Sequence, residues 1–364
     1  MKRLSTTPLS MRFASIVICS MLVMLCVQSA NAQNDSPFNL RFEVRADYQQ
    51  ELLSGAKDDA NSGFRGKYLN ILLDGKISPK FSYSYRQRLN KTIKDKTFFD
   101  ATDWIVLNYQ PTKNWGISAG KQVVLIGGWE YDGAPIDLYF CSEFWNNISC
   151  YQFGASVTYT TNKGNDHLTV QACQSPFDTP STDLYAYNLF WNGKHGCYHA
   201  LHSFNVSEYE RGKFVYYVVL GNRFTWGDAM LQVDLMNRGG NARELLFKDF
   251  SVMSQFSYMV AQRVNIFARA TYDKCEMLSA QSDMTIFPGS DLTRVGGGVE
   301  YYPLGGKGDR SIRLHAVYGY TFGRNGNPAG ALINDHTYFS IGLTWKVNVI
   351  ETAKKLFTKK DKAN

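Results

Sequence analysis

The sequence predicts an all-β fold, a transmembrane antiparallel β-barrel of about sixteen strands. Apolar and polar residues alternate with a period of two almost without interruption from residue 38 to residue 345. The connections between these stretches are short and long by turns, which is typical of barrels in outer membranes. After the N-terminal leader, no run of about 18 apolar residues offers a membrane-spanning helix.

Residues 1–32 have the pattern of a secretory signal peptide. They contain three basic residues and no acidic one, an apolar run over residues 13–27, and the cleavage signal Ala30-Asn31-Ala32. Ordinary cleavage before Gln33 is favoured over lipoprotein processing at Cys26, because the bulky Leu25 stands where a lipoprotein signal has a small residue. The expected organisation is a signal peptide (1–32), an outer-membrane barrel (33–348) and a basic periplasmic tail (349–364).

Charge argues against a nucleic-acid partner. Removal of the three leader cations lowers the formal net charge from +7 to +4, which is too slight for a nucleic-acid footprint. The expected partners are outer-membrane lipid and small hydrophilic solutes or ions. The tail 349–364 carries five lysines beside Leu356 and Phe357, which fits either a basic amphipathic helix on phospholipid head groups or a solvated tail.

The connections set the topology. Short connections include Pro111-Thr112-Lys113 and Asn192-Gly193, and they alternate with longer ones. The long connections cover residues 51–64, 91–99, 123–149, 174–183, 239–248, 275–292 and 323–336. An even number of strands leaves both termini on the periplasmic side of the bacterial outer membrane.

The connection over residues 123–150 is too long for a simple turn. Alternation stops after a strand that includes Ile117 and resumes at Tyr151, so the connection is an insertion in a run of strands. We expect it to fold into the barrel mouth and narrow it. Its candidate constriction residues are Trp129, Glu130, Tyr131, Asp132, Asp137 and Glu143.

Three motifs around this insertion are similar to a known family. The stretches Asp103-Trp104-Ile105-Val106-Leu107-Asn108-Tyr109, Trp115-Gly116-Ile117-Ser118-Ala119-Gly120-Lys121-Gln122 and Gly127-Gly128-Trp129-Glu130-Tyr131-Asp132 resemble the phosphate-selective porin O and P family, in its Bacteroidetes-type version. The resemblance implies a sixteen-stranded porin, commonly a homotrimer, whose third external loop bends into the lumen at residues 123–149.

The function expected from the pattern and the resemblance is passive diffusion of small hydrophilic solutes or ions, with phosphate or other anions among the candidates. The alternative is a β-barrel surface scaffold or adhesin that acts through its external loops. Sixteen strands leave an aqueous channel unless a segment plugs it, so lumen occupancy discriminates between the two.

Charged side chains carry the strongest chemical signal. The basic residues with inward parity are Arg41, Arg45, Arg86, Arg88, Arg269, Arg294 and Arg313. They either replace part of an anion's hydration shell or form internal ion pairs that stiffen the wall. The loop over residues 123–150 has four carboxylates and neither Lys nor Arg, so we expect it to repel anions, and the sign of the selectivity stays open.

Other polar clusters have simpler explanations than chemistry. His195, Cys197 and His199 share one face of a strand and suit a soft metal, but a polar lumen lining is favoured. Glu130 and Asp132 suit acid–base chemistry, or Ca²⁺ binding together with Asp137, yet a constriction explains them more simply.

No enzymatic motif is present in the sequence, and we expect neither an enzyme nor a cofactor. Gly296-Gly297-Gly298 lacks the spacing of a phosphate-binding loop and fits a bend or close packing within a strand. Five cysteines remain after the leader, which is not a disulfide framework. A disulfide between Cys141 and Cys150 stays open.

Overall fold

The computed structural model describes residues 38–91, 97–178, 181–240, 246–277, 284–305, 309–330 and 333–353. The expected signal peptide lies outside the described residues. Of the basic tail, residues 349–353 are described and are helical, and its lysines lie beyond them.

Within these residues, sixteen antiparallel strands form the wall of a barrel. They are β1 (Asn39–Leu53), β2 (Gly63–Lys76), β3 (Phe81–Arg88), β4 (Thr102–Tyr109), β5 (Trp115–Val123), β6 (Tyr151–Thr160), β7 (Asp166–Gln174), β8 (Tyr185–His195), β9 (Tyr198–Glu210), β10 (Lys213–Trp226), β11 (Ala229–Gly239), β12 (Asp249–Ala261), β13 (Val264–Cys275), β14 (Asp291–Tyr301), β15 (Ile312–Arg324) and β16 (His336–Asn348). A two-residue strand, Ala56–Lys57, extends the first hairpin at the end of β1.

The barrel is closed by its first and last strands. Strand β1 pairs with β2 on one side and with β16 on the other, in a register that runs from Arg41 opposite Asn348 to Leu53 opposite His336. Closure is required in a bilayer, since an unpaired backbone group in hydrocarbon costs several kcal/mol. The predicted all-β barrel is confirmed.

Three short α-helices lie in the connections of the described residues. They are α1 (Phe98–Ala101), α2 (Trp129–Asp132) and α3 (Glu143–Asn147), and a 3-10 turn spans Pro135–Asp137. None of the described helices has the length and apolar character needed to span a membrane.

Side chains alternate across the wall as the period of two predicts. On β7, Leu168 and Val170 are 46% and 61% exposed on the outer face, whereas Thr169 and Gln171 between them are buried on the inner face. An apolar outer surface suits lipid, and a polar inner surface suits water.

A β-bulge in β2 interrupts this parity. Arg45 of β1 lies opposite Tyr68, but the next residue, Ala46, lies opposite Gly66, so Lys67 is an extra residue without a partner in the register. A bulge of this kind changes which residues face inward on one side of it. Simple alternation therefore assigns Lys67 to the wrong face.

The turn between β8 and β9 differs from the expected position. Asn192 and Gly193 remain in the β-ladder, and the turn lies at Gly196 and Cys197. Gly193 marks close packing instead of a turn, because a Cβ atom on it would lie 2.5 Å from the ring of Trp191. The five described cysteines are all free, so the structure contains no disulfide between Cys141 and Cys150.

Candidate functional site

The long connection between β5 and β6 turns into the barrel and lies against the opposite wall. Gly128 adopts a φ of 95°, a left-handed conformation that favours glycine, and donates its N–H to the carbonyl oxygen of Leu201 at 3.0 Å. The preceding Gly127 N–H donates to Ser203 Oγ at 2.9 Å. Both acceptors belong to β9, so these two hydrogen bonds attach the loop to the wall. We call residues 124–150 the inserted loop.

The loop backbone approaches the wall so closely that glycine is needed on both sides. A Cβ atom on Gly221 of β10 would lie 2.6 Å from Gly128 Cα, and one on Gly127 would lie 2.6 Å from the Leu201 carbonyl oxygen. The Gly127-Gly128 motif therefore serves packing. The role of Gly221 was missed from the sequence, because a lone glycine in a strand carries no sign of its partner.

Apolar packing holds the two ends of the inserted loop. Val124, Tyr131 and Phe144 are buried in one cluster with Tyr217 and Val219 of β10. The rings of Phe144 and Tyr217 meet edge to face with centroids 5.9 Å apart. Aromatic pairs in this geometry contribute roughly 0.5–1.5 kcal/mol beyond the burial of their area.

Glu130, at the start of the loop, faces the wall and forms a buried ion pair. Its carboxylate pairs with Arg269 of β13 and accepts the hydroxyl and the backbone N–H of Ser142. The Glu130 N–H in turn donates to Asp234 Oδ2 at 2.8 Å. Glu143 is also buried, and its N–H donates to Asp273 Oδ2 at 2.8 Å. Both glutamates thus anchor the loop and lie away from the open channel.

Asp137, in the middle of the loop, pairs with two cations of the wall. Its carboxylate lies 3.1 Å from Arg313 Nη1 and 2.8 Å from Lys346 Nζ. Burial raises the pKa of Asp137, but the guanidinium and the ammonium outweigh that effect, so the pKa lies below its ordinary value. Arg313 lies 3.3 Å from Glu300 as well and donates to the Ile136 carbonyl oxygen.

Arg45 also holds the loop. It forms an ion pair of 2.7 Å with Asp47 and donates to the Leu138 carbonyl oxygen at 2.6 Å. Its guanidinium lies 4.7 Å from the ring centroid of Tyr139. The N–H groups of Arg45 that already bond a neighbouring carboxylate and loop carbonyls are not available to a solute.

Three further arginines, on β1 and β3, pair with carboxylates of the wall. Arg41 pairs with Asp74 at 3.0 Å. Arg86 and Arg88 share Asp103, at 2.8 and 3.2 Å. Six of the seven arginines thus take part in ion pairs, as the internal-pair interpretation expects.

Arg294 is the seventh of these arginines and contacts aromatic rings. Its guanidinium lies 5.0 Å from the ring centroid of Phe140 and 5.6 Å from that of Tyr338. Within the described residues it has no ion pair. Its charge is buried beside the loop and not exposed in the lumen.

Asp132 is the loop carboxylate that faces open space. Its side chain is exposed, and among the described residues no cation forms an ion pair with it. The surrounding barrel nevertheless removes part of the water that hydrates the Asp132 carboxylate, and this loss of hydration raises its pKa. The positive charge of Arg223 offsets only part of the effect, so the pKa lies above its ordinary value. Arg223 itself stacks on Trp129, with the guanidinium carbon 3.3 Å from the ring centroid.

A basic cavity of about 390 Å³ lies between the loop residues Leu138 and Tyr139 and the wall of β1 to β3. It is lined by Lys67, Arg88 and Lys91, and no described carboxylate pairs with either lysine. The sequence did not point to the two lysines, because Lys67 is the bulge residue and Lys91 follows the end of β3. A bulge becomes apparent only when the pairing of two strands is known, and the sequence of one strand does not show it.

His195, Cys197 and His199, for which a metal site was the less favoured interpretation, do not converge on one point. His195 bonds to Asp166 at 2.9 Å, and His199 bonds to Asn192 at 2.7 Å, whereas Cys197 lies exposed in a turn. Within the described residues, no group of three or more potential ligands is arranged to hold a metal ion.

We predict that Arg269→Gln releases the inserted loop, because Glu130 is then left buried without its partner. Breaking a buried pair costs about 3–5 kcal/mol. Cys141, a buried free thiol of the loop, is a native reporter, and its maleimide labelling should accelerate roughly a hundredfold if local opening exposes it. Mass spectrometry of the labelled peptides measures this, with exposed Cys197 as the internal control.

The matched variant is the double substitution Glu130→Gln with Arg269→Gln. It removes both charges, so Cys141 labelling should return most of the way to the wild-type rate. Equal labelling of Cys141 in the wild type and the single variant would show that the ion pair does not hold the loop.

We also predict that Gly221→Ala displaces the loop. The added methyl group would lie within 2.6 Å of Gly128 Cα, so the backbone has to move, and Cys141 labelling should rise. Gly116→Ala is the control on the uncovered wall, where the new Cβ makes an ordinary contact of 3.7 Å with Gln110. The idea fails if both variants label like the wild type.

Comparison with known proteins relates these features to a family. Residues 38–213 match the family model described as phosphate-selective porin O and P. A comparison with curated protein sequences gives no match.

Solved structures with the same fold include OmpT of Vibrio cholerae, with 16% identity, a TM-score of 0.57, and coverage of 87% of this chain and 99% of that chain. The anion-selective porin from Comamonas acidovorans has 10% identity and a TM-score of 0.58, over 85% of this chain and 99% of that one. The outer membrane channel DcaP of Acinetobacter baumannii has 12% identity and a TM-score of 0.59, over 85% and 97%. At these identities the likeness concerns the fold, and the Bacteroidetes-type version stays a prediction. By its barrel and by the match over residues 38–213, the chain is similar to the phosphate-selective porin O and P family.

Proposed function

We propose that the protein is a non-enzymatic porin for the passive diffusion of small hydrophilic solutes and ions across the outer membrane. The observation that carries this proposal is a closed sixteen-stranded barrel whose inserted loop leaves cavities open beside it. Barrels of this size enclose an aqueous channel unless they are plugged. Weak contacts along such a channel let solutes enter and leave.

The proposal includes an orientation and an assembly. The short turns and both termini face the periplasm, because short periplasmic turns and long external loops are the rule for these barrels. The protein acts as a homotrimer. OmpT of Vibrio cholerae, which has the same fold as this chain at 16% identity, has a trimer form.

The charges that remain outside the loop contacts favour anions weakly. Glu130 and Asp137 are paired with cations, which leaves Asp132 as the exposed carboxylate of the loop. Beside the loop, Lys67 and Lys91 line a cavity, and neither lysine pairs with a carboxylate in the described part of the chain. A local excess of positive charge raises the concentration of anions at the constriction.

The test is the reversal potential of single channels in a planar bilayer under a KCl gradient. We expect stepwise conductance and an anion-selective sign. A cation-selective sign would overturn the proposed anion preference, whereas the proposed pore function would stand. A silent bilayer with correctly folded protein would overturn the pore and favour the surface scaffold.

We predict that Asp132→Asn makes the channel more anion-selective at neutral pH. A unit charge about 8 Å from a permeating ion is worth about 0.5 kcal/mol in water, with opposite signs for chloride and potassium, so the ratio of chloride to potassium permeability should rise about fivefold. Because the pKa of Asp132 is raised, the wild type should approach the variant as the pH falls toward the ordinary aspartate value of 3.8.

Asp137→Asn is the matched control. The pKa of Asp137 is lowered, so this carboxylate keeps its charge to a lower pH, and the difference from wild type should persist where that of Asp132→Asn has vanished. Reversal potentials between pH 7 and pH 4 distinguish the two. Identical pH profiles for both variants would contradict the assignment of the exposed charge to Asp132.

A further inference from the structure

One sector of the lumen is lined mainly by the wall, with only Leu125 at the start of the inserted loop contributing to it, and its lining carries no formal charge. It forms a cavity of about 390 Å³ along β3 to β8. The residues that line it include hydroxyl, amide and aromatic side chains and, apart from His167, no ionisable ones. We call this sector the neutral wall.

The neutral wall contrasts with the rest of the lumen. The loop lies against β9 to β16 and β1, where Arg45, Arg269 and Arg313 meet their carboxylate partners. A solute that moves beside the loop therefore passes between the ion pairs of the loop contacts and the neutral wall. The nearest charge behind the neutral wall is Arg86, which lies 3.9 Å from the ring centroid of Trp104 and is paired with Asp103. Ions gain little from the neutral wall, because no charge of its lining replaces their hydration.

The hydrogen bonds that the described residues form along the neutral wall engage the oxygen atoms of Asn and Gln side chains and leave the N–H groups of the same amides unbonded. Ser118 Oγ donates to Asn108 Oδ1 at 2.7 Å, and Ser156 Oγ donates to Gln122 Oε1 at 3.0 Å. Asn192 Oδ1 lies 2.7 Å from the ring of His199. In the described part of the chain, the buried Gln122 Nε2 has no hydrogen-bond partner, and the amide nitrogens of Asn108 and Asn192 donate to no acceptor.

Two aromatic rings line the same cavity. Trp104 is half-buried and is held by its indole N–H, which donates to Ser84 Oγ at 2.8 Å. Phe190, on the other side, packs against the buried cluster of Trp129 and Leu201. Fixed rings beside free amide donors offer both apolar contact and directed hydrogen bonds.

We propose that the neutral wall is a binding subsite for uncharged polyhydroxylated solutes, that is, sugars. A sugar ring has apolar C–H faces and a rim of hydroxyls that both donate and accept, which matches this lining. Transfer of a sugar from water to the wall removes no charge from solvent, so a few hydrogen bonds suffice for weak, reversible binding. The proposal rests on the pore function and names a solute class for it.

The experiment uses the full-length mature protein as single channels in planar bilayers. Maltotriose is added in steps, and polyethylene glycol of similar size is added in a parallel series. We expect maltotriose to reduce the ion current in a saturable way with added current noise, whereas the polymer reduces it in proportion to its concentration.

The outcomes separate the two proposals. If maltotriose and the polymer act alike while the channel conducts, the sugar subsite is overturned and the porin function stands. If correctly folded protein gives no conductance, the subsite falls together with the pore.

Variants locate the subsite. Gln122→Leu and Asn108→Leu each remove one amide donor, and each should weaken maltotriose binding about fivefold at unchanged pore size. Phe190→Leu keeps an apolar residue and tests the aromatic contact separately. Thr225→Val, at the short-turn end of β10, is the matched control and should bind maltotriose like the wild type.

Ion conductance of each variant reports a folded channel. Should all three neutral-wall variants conduct and bind maltotriose with wild-type affinity, the binding would lie elsewhere and the assignment would be overturned. A loss equal in Thr225→Val and in the three variants would likewise overturn it.

Discussion

The pairing of β1 with β16 is the constraint on which the rest of the structure depends. It leaves the barrel without an open edge, so backbone groups at membrane depth are paired within the wall. Closure also fixes an inside and an outside for every strand. From that point on, each residue of a strand either contacts lipid or faces the lumen, and the period of two in the sequence follows directly.

Closure creates a second problem, which the inserted loop solves. Without the loop, Arg269 would lose its ion-pair partner and Arg313 would keep Glu300 alone, and an unpaired charge is costly away from bulk water. The loop supplies Glu130 and Asp137 to Arg269 and Arg313, and its backbone carbonyls to Arg45. The same contacts narrow the channel and fix the loop. The contacts by which the loop neutralises charges of the wall are therefore the same contacts that narrow the channel.

The strand count, the parity of the five strands that bear the inward arginines, and the position of the inserted loop followed from the sequence, because each depends on local periodicity or on loop length. The partners of the charges did not. Glu130 and Arg269 are 139 residues apart, and no local pattern links them. Likewise, Lys67 lies in a bulge that only the pairing with β1 reveals, and Gly221 is explained only by Gly128 on a distant segment. Contacts between segments far apart in sequence are decided by tertiary packing, which periodicity does not encode.

The expected repulsion of anions by four loop carboxylates shows why composition alone misleads in a closed barrel. The charge that a solute meets is the sum over exposed groups, and a carboxylate paired with a guanidinium contributes little beyond a few ångströms. Glu130 and Glu143 are buried against the wall, so counting them overstates the acidity of the constriction. What the loop leaves uncovered, namely Asp132, the two lysines of the basic cavity and the neutral wall, sets what a solute encounters. In this barrel, selectivity therefore depends more on how the loop partitions the lumen than on how many charges the chain carries.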